Sequence, residues 1–432
     1  MKKTALCCAF FAFSALSWSQ QALVLTEDKV RELAVGASNA LQETRASAAA
    51  SQAQAAAVAS RKKTQVELQA NVTQRSSVPE FHLPATIGGN VLYTSIETTA
   101  GSTLTVVQPL DAALSYRTRA AQRQAQGAQA EVSRTQLDVV LKARLSFWQA
   151  ILAASAVTVA EKEFRRAEQN LADTVLLEEA GLATRAAVLT AQAHRDQTWV
   201  ALLRARSAAA LELVSLRSLL QLPAEQPLQL QPTPALPPPP PPLSELWTTA
   251  LAQRPELAAL RHQAEALRLQ TEAERAEKKP RFSLLAQYDW SRPNPRYFPL
   301  ENRWHGTWAA GFLGTIKVWD GGEAQAKANA AAAQYTATLA HLKELERLVT
   351  LEVEHTRQEL EDALALIPAA STALAAARER QQAVRETYLA GLARVEDLLA
   401  AESALARAEF EQEQSRVRAW MAQARLERSL GQ

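Results

Sequence analysis

Apolar and polar positions along this chain follow two different periods, and the period switches repeatedly. Val66-Glu67-Leu68-Gln69-Ala70-Asn71-Val72-Thr73 alternates without exception, the two-residue period of a strand with one apolar face. Thr103-Leu104-Thr105-Val106-Val107-Gln108 reads as a second strand, ended by Pro109 and Asp111. Phe282, Leu284, Ala286, Tyr288 and Trp290 alternate with Arg281, Ser283, Gln287 and Asp289, broken only by Leu285. Trp308, Ala310, Phe312, Gly314, Ile316 and Val318 form one face of a fourth strand, ended by Asp320-Gly321-Gly322. The expected strands are therefore about 66–74, 103–109, 281–290 and 307–319. Residues from about Ser76 to Gly101, with Pro79, Pro84, Gly88 and Gly89, read as a loop, as does the stretch around Pro293, Pro295 and Pro299.

The segments between the strands are helical in period. Thr26 to about Arg61 is rich in Ala and nearly free of breakers. From about Ala112 to Ala180 there is no proline, and Leu137, Leu141, Leu145, Trp148 and Leu152 fall on one helical face. About seventy helical residues reach roughly 100 Å at 1.5 Å per residue. Such a helix cannot fold back on itself, so other long helices must cover its apolar face. A helix returns from Gly181 to about Leu222, with Leu213, Leu216 and Leu220 on one stripe. Helices are likewise expected from Ser244 to about Lys279, from Gly322 to Ala390, where Pro368 introduces a kink, and on to Leu430.

Two glycines organise these helices. Glu178-Glu179-Ala180-Gly181-Leu182-Ala183-Thr184 and Tyr388-Leu389-Ala390-Gly391-Leu392-Ala393-Arg394 each interrupt a long Ala- and Leu-rich segment. A glycine there takes the left-handed conformation that ends one helix and lets the next begin. Leu182 and Leu392 are expected to pack back onto the preceding turn. Thr184 is expected to cap the new helix; at the second turn Glu396 and Asp397 supply negative charge in the first turn instead. Gly181, Leu189 and Leu220 align with Gly391, Leu399 and Leu430 at one constant offset, and Lys62-Lys63-Thr64 with Lys278-Lys279-Pro280 at nearly the same one. The chain thus reads as helix, strand, loop, strand, long helix, glycine turn, helix, given twice. The expected divisions are a signal peptide at 1–19, a first repeat at 20–222, a Pro-rich linker at 223–242 and a second repeat at 243–432. Pro223, Pro227, Pro232, Pro234 and Pro237–Pro242 make the linker an extended polyproline connector.

Composition narrows the classes. Met1-Lys2-Lys3 and an apolar run to about Ser17 form a secretory signal. Both cysteines, Cys7 and Cys8, lie inside it, so the mature chain offers no disulfide and no thiolate metal site. A net charge of +2 on 432 residues argues against nucleic acid as a partner. The histidines are scattered without metal-ligand spacing and no phosphate-binding glycine loop occurs. The expectation is a protein that is not an enzyme and has no cofactor. No uninterrupted run of eighteen apolar residues follows the signal, so no transmembrane helix is expected, and a membrane-spanning form has to be a β-barrel.

Four strands cannot close into a barrel, and an open edge is not tolerated in lipid. The strands must pair with other copies of the chain or lie in water. The order of elements, the duplication, the strand endings Gln108-Pro109-Leu110-Asp111 and Val318-Trp319-Asp320-Gly321-Gly322, and the Ala-Gly-Leu-Ala turns together resemble the TolC family of outer membrane efflux proteins. The resemblance covers essentially all of the mature chain. It implies a membrane α+β fold: a homotrimeric 12-stranded β-barrel in the outer membrane, four strands per chain, continuous with a long periplasmic α-helical barrel. It also implies that the turns lie at a periplasmic tip, where Gly181, Leu182, Ala183, Thr184, Gly391, Leu392, Ala393 and Arg394 meet a membrane-fusion adaptor tied to an inner-membrane pump or ABC exporter. The Pro-rich linker would then lie in the equatorial region.

Family members are commonly gated at the tip, some by rings of aspartate. Asp397, in a trimer, would give such a ring, favouring cations; its competing role is a helix-dipole carboxylate. The matching first-repeat position is Ala187, and Ala400 stands where a further acid can occur, so the ring is thinner than in the most acidic members. Trp304 and Trp308 are candidates for an aromatic girdle in contact with outer membrane lipid, with core packing as the competing role. The functional expectation is a passive exit duct for efflux or type I secretion. A soluble periplasmic coiled-coil adaptor or scaffold is the alternative.

Overall fold

The structure is a computed structural model that describes residues 22–77, 81–82, 86, 91–93, 96–232, 235–298 and 300–432. The expected signal peptide with Cys7 and Cys8, and the loop prolines and glycines Pro79, Pro84, Gly88, Gly89 and Pro299, lie outside the described residues.

In chain order the elements are β1 (Leu23–Leu25), α1 (Glu27–Ala37), α2 (Asn39–Ser60), β2 (Gln65–Gln74), β3 (Phe81–His82), β4 (Val91–Tyr93), β5 (Thr98–Leu110), α3 (Ala112–Glu179) and α4 (Arg185–Leu219). There follow β6 (Leu228–Leu230), α5 (Leu243–Gln253), α6 (Pro255–Ala276), β7 (Arg281–Arg292), β8 (His305–Thr315), α7 (Glu323–Leu389) and α8 (Val395–Leu430). Two helices, two long strands, one very long helix and one shorter helix thus occur in that order twice. The very long helices hold 68 and 67 residues. The chain divides into two compact units, each drawing on both halves of the sequence. One contains residues up to Ser38, Asp138–Leu243 and Glu354–Arg428; the other contains Asn39–Leu137, Ser244–Val353 and Ser429–Gln432.

Several expectations shift. The helix expected from Thr26 to Arg61 is two helices, parted at Ser38, whose backbone is extended (φ −68°, ψ 114°). Ser38 and Asn39 are residues whose side chains compete for backbone groups. The helix expected from Ser244 to Lys279 is also two, parted at Arg254. Pro255 stands at the start of α6, where its missing N–H is harmless, and the residue before it is driven to an extended conformation. The connector at 223–242 is not wholly polyproline: Leu228–Leu230 pairs in parallel with Leu23–Leu25. Three residues are too few to show a period. The strand expected at 103–109 starts at Thr98 instead, and the one expected to reach 319 stops at Thr315. Helix α7 runs unbroken through Pro368. Both α3 and α7 also contain an eighteen-residue stretch apolar enough by composition to cross a membrane. Alanine, interspersed with polar residues, produces that without any continuous apolar run.

The first unit is centred on Leu25, Val30, Phe147, Trp148, Leu216 and Val417. Trp148 stacks on Trp420 at 5.4 Å, and Trp420 Nε1 donates to Ala235 O at 3.2 Å. Arg144, only 4% exposed, is paired with both Glu27 and Glu427. The full burial of this cation requires that pairing. The second unit holds the four long strands. Asp111 Oδ1 accepts from the Ala113 N–H at 2.8 Å where β5 gives way to α3. Asp320 accepts from the N–H groups of Gly322 and Ala324 where β8 gives way to α7, and those bonds hold its pKa below the ordinary carboxylate value.

Candidate functional site

The four long strands form one sheet in the order β2-β5-β7-β8, every neighbour antiparallel. Register places even-numbered residues beside even-numbered residues throughout. Val66 faces Val106, Leu68 faces Leu104, Leu104 faces Tyr288 and Tyr288 faces Trp308. One face is therefore Val66, Leu68 and Val72, then Leu104, then Phe282, Leu284, Tyr288 and Trp290, then Trp308 and Phe312. Each of these side chains is exposed in the single chain, from Leu104 at 39% to Val72 at 78%. The opposite face carries Glu67, Gln69, Asn71, Thr103, Thr105, Gln287 and Asp289. The side-chain period of two makes this segregation a property of the register.

Aromatic residues gather at two levels of the apolar face. At one, Trp304 stacks on Trp290 at 4.5 Å, and Trp308, opposite Tyr288, is 76% exposed. At the other, Phe282 and Phe312 stack at 5.1 Å. Eight residues separate Phe282 from Trp290, about 27 Å of strand. Glycines make room for the rings: a Cβ on Gly306 would stand 2.3 Å from the Tyr288 hydroxyl, and one on Gly314 3.2 Å from Phe282. Among the described residues, the outer edges of β2 and β8 have no partner strand.

The two glycine turns belong to the other unit. Gly181 has φ +74° and Gly391 φ +73°. The Leu182 N–H donates to Leu177 O at 2.8 Å, and the Leu392 N–H to Thr387 O at 2.9 Å, the six-to-one bond of a Schellman ending. Thr184 Oγ1 accepts from the Ala187 N–H at 3.2 Å. The leucines do not pack back as expected. Leu182 is 67% exposed and Leu392 82%. Around the turns Ala191, Tyr388, Val395 and Leu398 form one core cluster, with Leu171, Leu177, Ala187 and Ala393 packed against it. Both turns and their four helices thus share one packing. Ala183 is half-buried, and Arg394 and Asp397 are exposed. Asp397 Oδ2 accepts from the Arg394 backbone N–H at 3.4 Å at the start of α8.

Sequence reasoning missed the polar side chains behind these turns. The Tyr388 hydroxyl and Thr174 Oγ1 lie 2.6 Å apart, both buried. Arg385 reaches Asp173 at 3.4 Å. Glu402, wholly buried, accepts from Asn170 Nδ2 and from Gln381 Nε2 at 3.5 Å. Burial raises its pKa, against the opposing pull of that Asn170 bond and of Arg166. Burial also raises that of Glu163, where Arg166 again opposes. These residues come from α3, α7 and α8, and nothing local in the sequence joins them. Among the described residues no group of three or more His, Asp, Glu or Cys is arranged to hold a metal ion.

Residues 246–432 match the family model described as outer membrane efflux protein. That match covers the C-terminal part of the chain, somewhat less than half of its 432 residues. Solved outer membrane proteins, two of them described as channels, share the fold across nearly its full length. VceC from Vibrio cholerae is 19% identical with a TM-score of 0.76, over 94% of this chain and 96% of its own. CmeC from Campylobacter jejuni is 14% identical with a TM-score of 0.77, over 100% and 94%. OprN is 18% identical with a TM-score of 0.77, over 94% and 89%. No curated protein matches the chain.

Proposed function

We propose that this chain is the outer membrane channel of a tripartite efflux or type I secretion system, a passive exit duct that extends from the outer membrane into the periplasm. The observation that carries the reading is a sheet with one apolar aromatic face, one polar face and two bare edges. Its strands hold 10, 13, 12 and 11 residues, at or slightly beyond the 9–11 or so that a tilted strand needs to cross a bilayer. Leaving the large side chains of the apolar face in water forfeits on the order of 10 kcal/mol, at roughly 1.5 kcal/mol or more each. In lipid, unpaired edge groups cost several kcal/mol apiece, so β2 of one copy pairs with β8 of the next. Three copies make the 12-stranded barrel that the family resemblance implies, with the polar face inward. A soluble periplasmic coiled-coil adaptor has no use for such a sheet.

The same reading assigns 20–222 and 243–432 as structural repeats around the linker at 223–242. The glycine turns are the periplasmic tip, where exposed Leu182 and Leu392 meet the membrane-fusion adaptor of an inner-membrane pump or exporter. Trp304 and Trp308 belong to the aromatic girdle against lipid. Asp397, besides capping α8, gives one carboxylate per copy to a tip ring that favours cations. The reading contains no catalysis; partners supply the energy.

The test is membrane fractionation followed by native mass spectrometry and planar-bilayer recording of the detergent-extracted protein. A trimer that conducts supports the duct. A protein that stays soluble without detergent and never conducts leaves the adaptor reading. Loss of divalent-cation block in Asp397→Ala supports the ring; unchanged block removes it.

A further inference from the structure

A lysine pair recurs in both repeats, Lys62-Lys63 and Lys278-Lys279, and the two pairs occupy equivalent places. Helix α2 ends with the N–H groups of Arg61, Lys62 and Lys63 donating to Val58 O, Ala59 O and Ser60 O at 2.9–3.3 Å. Helix α6 ends the same way, with Glu277, Lys278 and Lys279 donating to Glu274 O, Arg275 O and Ala276 O at 2.9–3.4 Å. Two residues beyond each pair a long strand begins, β2 at Gln65 and β7 at Arg281. Register brings the other two strands to the same level: Gln65 faces Val107, Phe282 faces Leu110 and Arg281 faces Thr315. Both pairs, and Lys317 beyond the end of β8, therefore stand at the helical end of the sheet, just past the level of Phe282 and Phe312.

Positive charge is in excess there. Over Arg61–Glu67, Asp111–Arg117, Glu272–Arg281 and Lys317–Lys327 the chain has ten cations and seven carboxylates. The carboxylates are engaged. Glu272 pairs with Arg275, Glu274 and Glu277 with Arg117, Glu277 also with Arg281, and Glu323 with Lys327 and Lys317. Asp111 and Asp320 accept from backbone N–H groups, and Glu67 from Gln69 Nε2. Among the described residues Arg61, Lys62, Lys63, Lys278 and Lys279 form no ion pair, and each is exposed; Lys278 Nζ donates only to Gln325 Oε1, at 3.2 Å. The helix dipole favours cations at such an end and leaves their ammonium groups free for a ligand. Beside them, the chain leaving β8 holds Ile316, Val318 and Trp319 at 58%, 89% and 85% exposure. Lysines next to exposed tryptophan and aliphatic side chains suit a membrane–water boundary, where the indole sits at headgroup level and the cations meet phosphate.

We propose that Lys62-Lys63 and Lys278-Lys279, with Lys317 beside Trp319, hold the phosphate headgroups of anionic phospholipid in the periplasmic leaflet of the outer membrane. This rests on the duct reading above, which sets the helical end of the sheet at that leaflet. The duplication gives each chain two lysine pairs, so a trimer carries six of them around the periplasmic end of its barrel.

The test is lipid retention by the trimer. Protein reconstituted in equal parts phosphatidylethanolamine and phosphatidylglycerol is released for native mass spectrometry, and the lipids that stay bound are counted by kind. Wild type is compared with Lys62→Gln/Lys63→Gln, Lys278→Gln/Lys279→Gln and the corresponding arginine pairs. Wild type should retain phosphatidylglycerol in preference. Each glutamine pair should lower that preference roughly fivefold or more, since a single surface lysine attracts anionic lipid by about that factor. The arginine pairs should preserve it. Equal retention of the two lipids by wild type overturns the proposal. So does an unchanged preference in both glutamine variants, whether they melt earlier, as helix-end charges alone would, form weaker trimers, as contacts to a second copy would, or shift single-channel ion selectivity, as lumen-facing charges would. In each of these cases the duct stands. If wild type yields no trimer and never conducts, the duct reading itself fails and takes this one with it.

Discussion

The hydroxyl of Tyr388 on α7 lies 2.6 Å from that of Thr174 on α3, and both residues are buried. The bond joins the two helical hairpins behind the exposed glycines, about two turns back on α3 and one on α7, beside the Arg385–Asp173 pair. Two hairpins tied in this way resist being splayed apart, and on the proposed duct reading that splaying is what opens the tip. Tyr388→Phe removes one bond of about 1 kcal/mol, so the open form should gain roughly fivefold in population. Single-channel open probability measures this. Thr174→Val should act alike, and the double variant should exceed neither single one.

Glu402 and Glu163 predict a pH response. Burial raises both pKa values in the folded protein, so between the ordinary carboxylate value and the raised one the folded state binds more protons than the unfolded. Stability contributed by these groups is present at low pH and falls as pH rises through that window. Thermal melting in detergent should therefore decline from about pH 4.5 upward, and the decline should flatten in Glu163→Gln/Glu402→Gln. An equal slope in the double variant would assign the response to other groups.

The two faces of β7 should answer oppositely to charge. Ala286 lies on the apolar face and Gln287 on the polar one. Ala286→Arg should destabilise the inserted protein by about 2–4 kcal/mol, the midplane value for a lipid-facing arginine. Gln287→Arg should be near neutral. The heat resistance of the trimer band on a denaturing gel distinguishes them.

Leu182 and Leu392 support a prediction about partners. Their exposure means that Leu182→Asp/Leu392→Asp should leave melting within about 0.5 kcal/mol of wild type. Co-purification of a periplasmic adaptor from the native host should nevertheless be lost. Retained adaptor would move the docking surface away from the turn leucines.

What the sequence could reveal followed from the range of each signal. The strands from Val66 and from Phe282 were legible because apolar and polar positions alternate along them nearly residue by residue. The glycine turns were legible because nothing else interrupts the long helices. The start of β5 was not: Thr98-Thr99-Ala100-Gly101-Ser102 is small and polar on both faces, so pairing with its neighbours, rather than pattern, sets its boundary. β1 and β6 were too short to show a period, and only together do Leu23–Leu25 and Leu228–Leu230 make a ladder. Asn170 and Glu402 were beyond reach for a different reason: 232 residues separate them, and only tertiary packing decides that one buries against the other. The outward turn leucines depart from the local capping rule: Leu182 and Leu392 stay exposed while residues of four helices form the cluster at the turns.

The bare edges of β2 and β8 also have a genetic consequence. If each ring closes only when every subunit offers both edges, a copy with one blocked edge removes healthy partners from use. In a cell making equal amounts of normal and edge-defective chains that still associate, about one ring in eight would contain three normal subunits. A recessive-looking lesion in one strand would then behave as a dominant one.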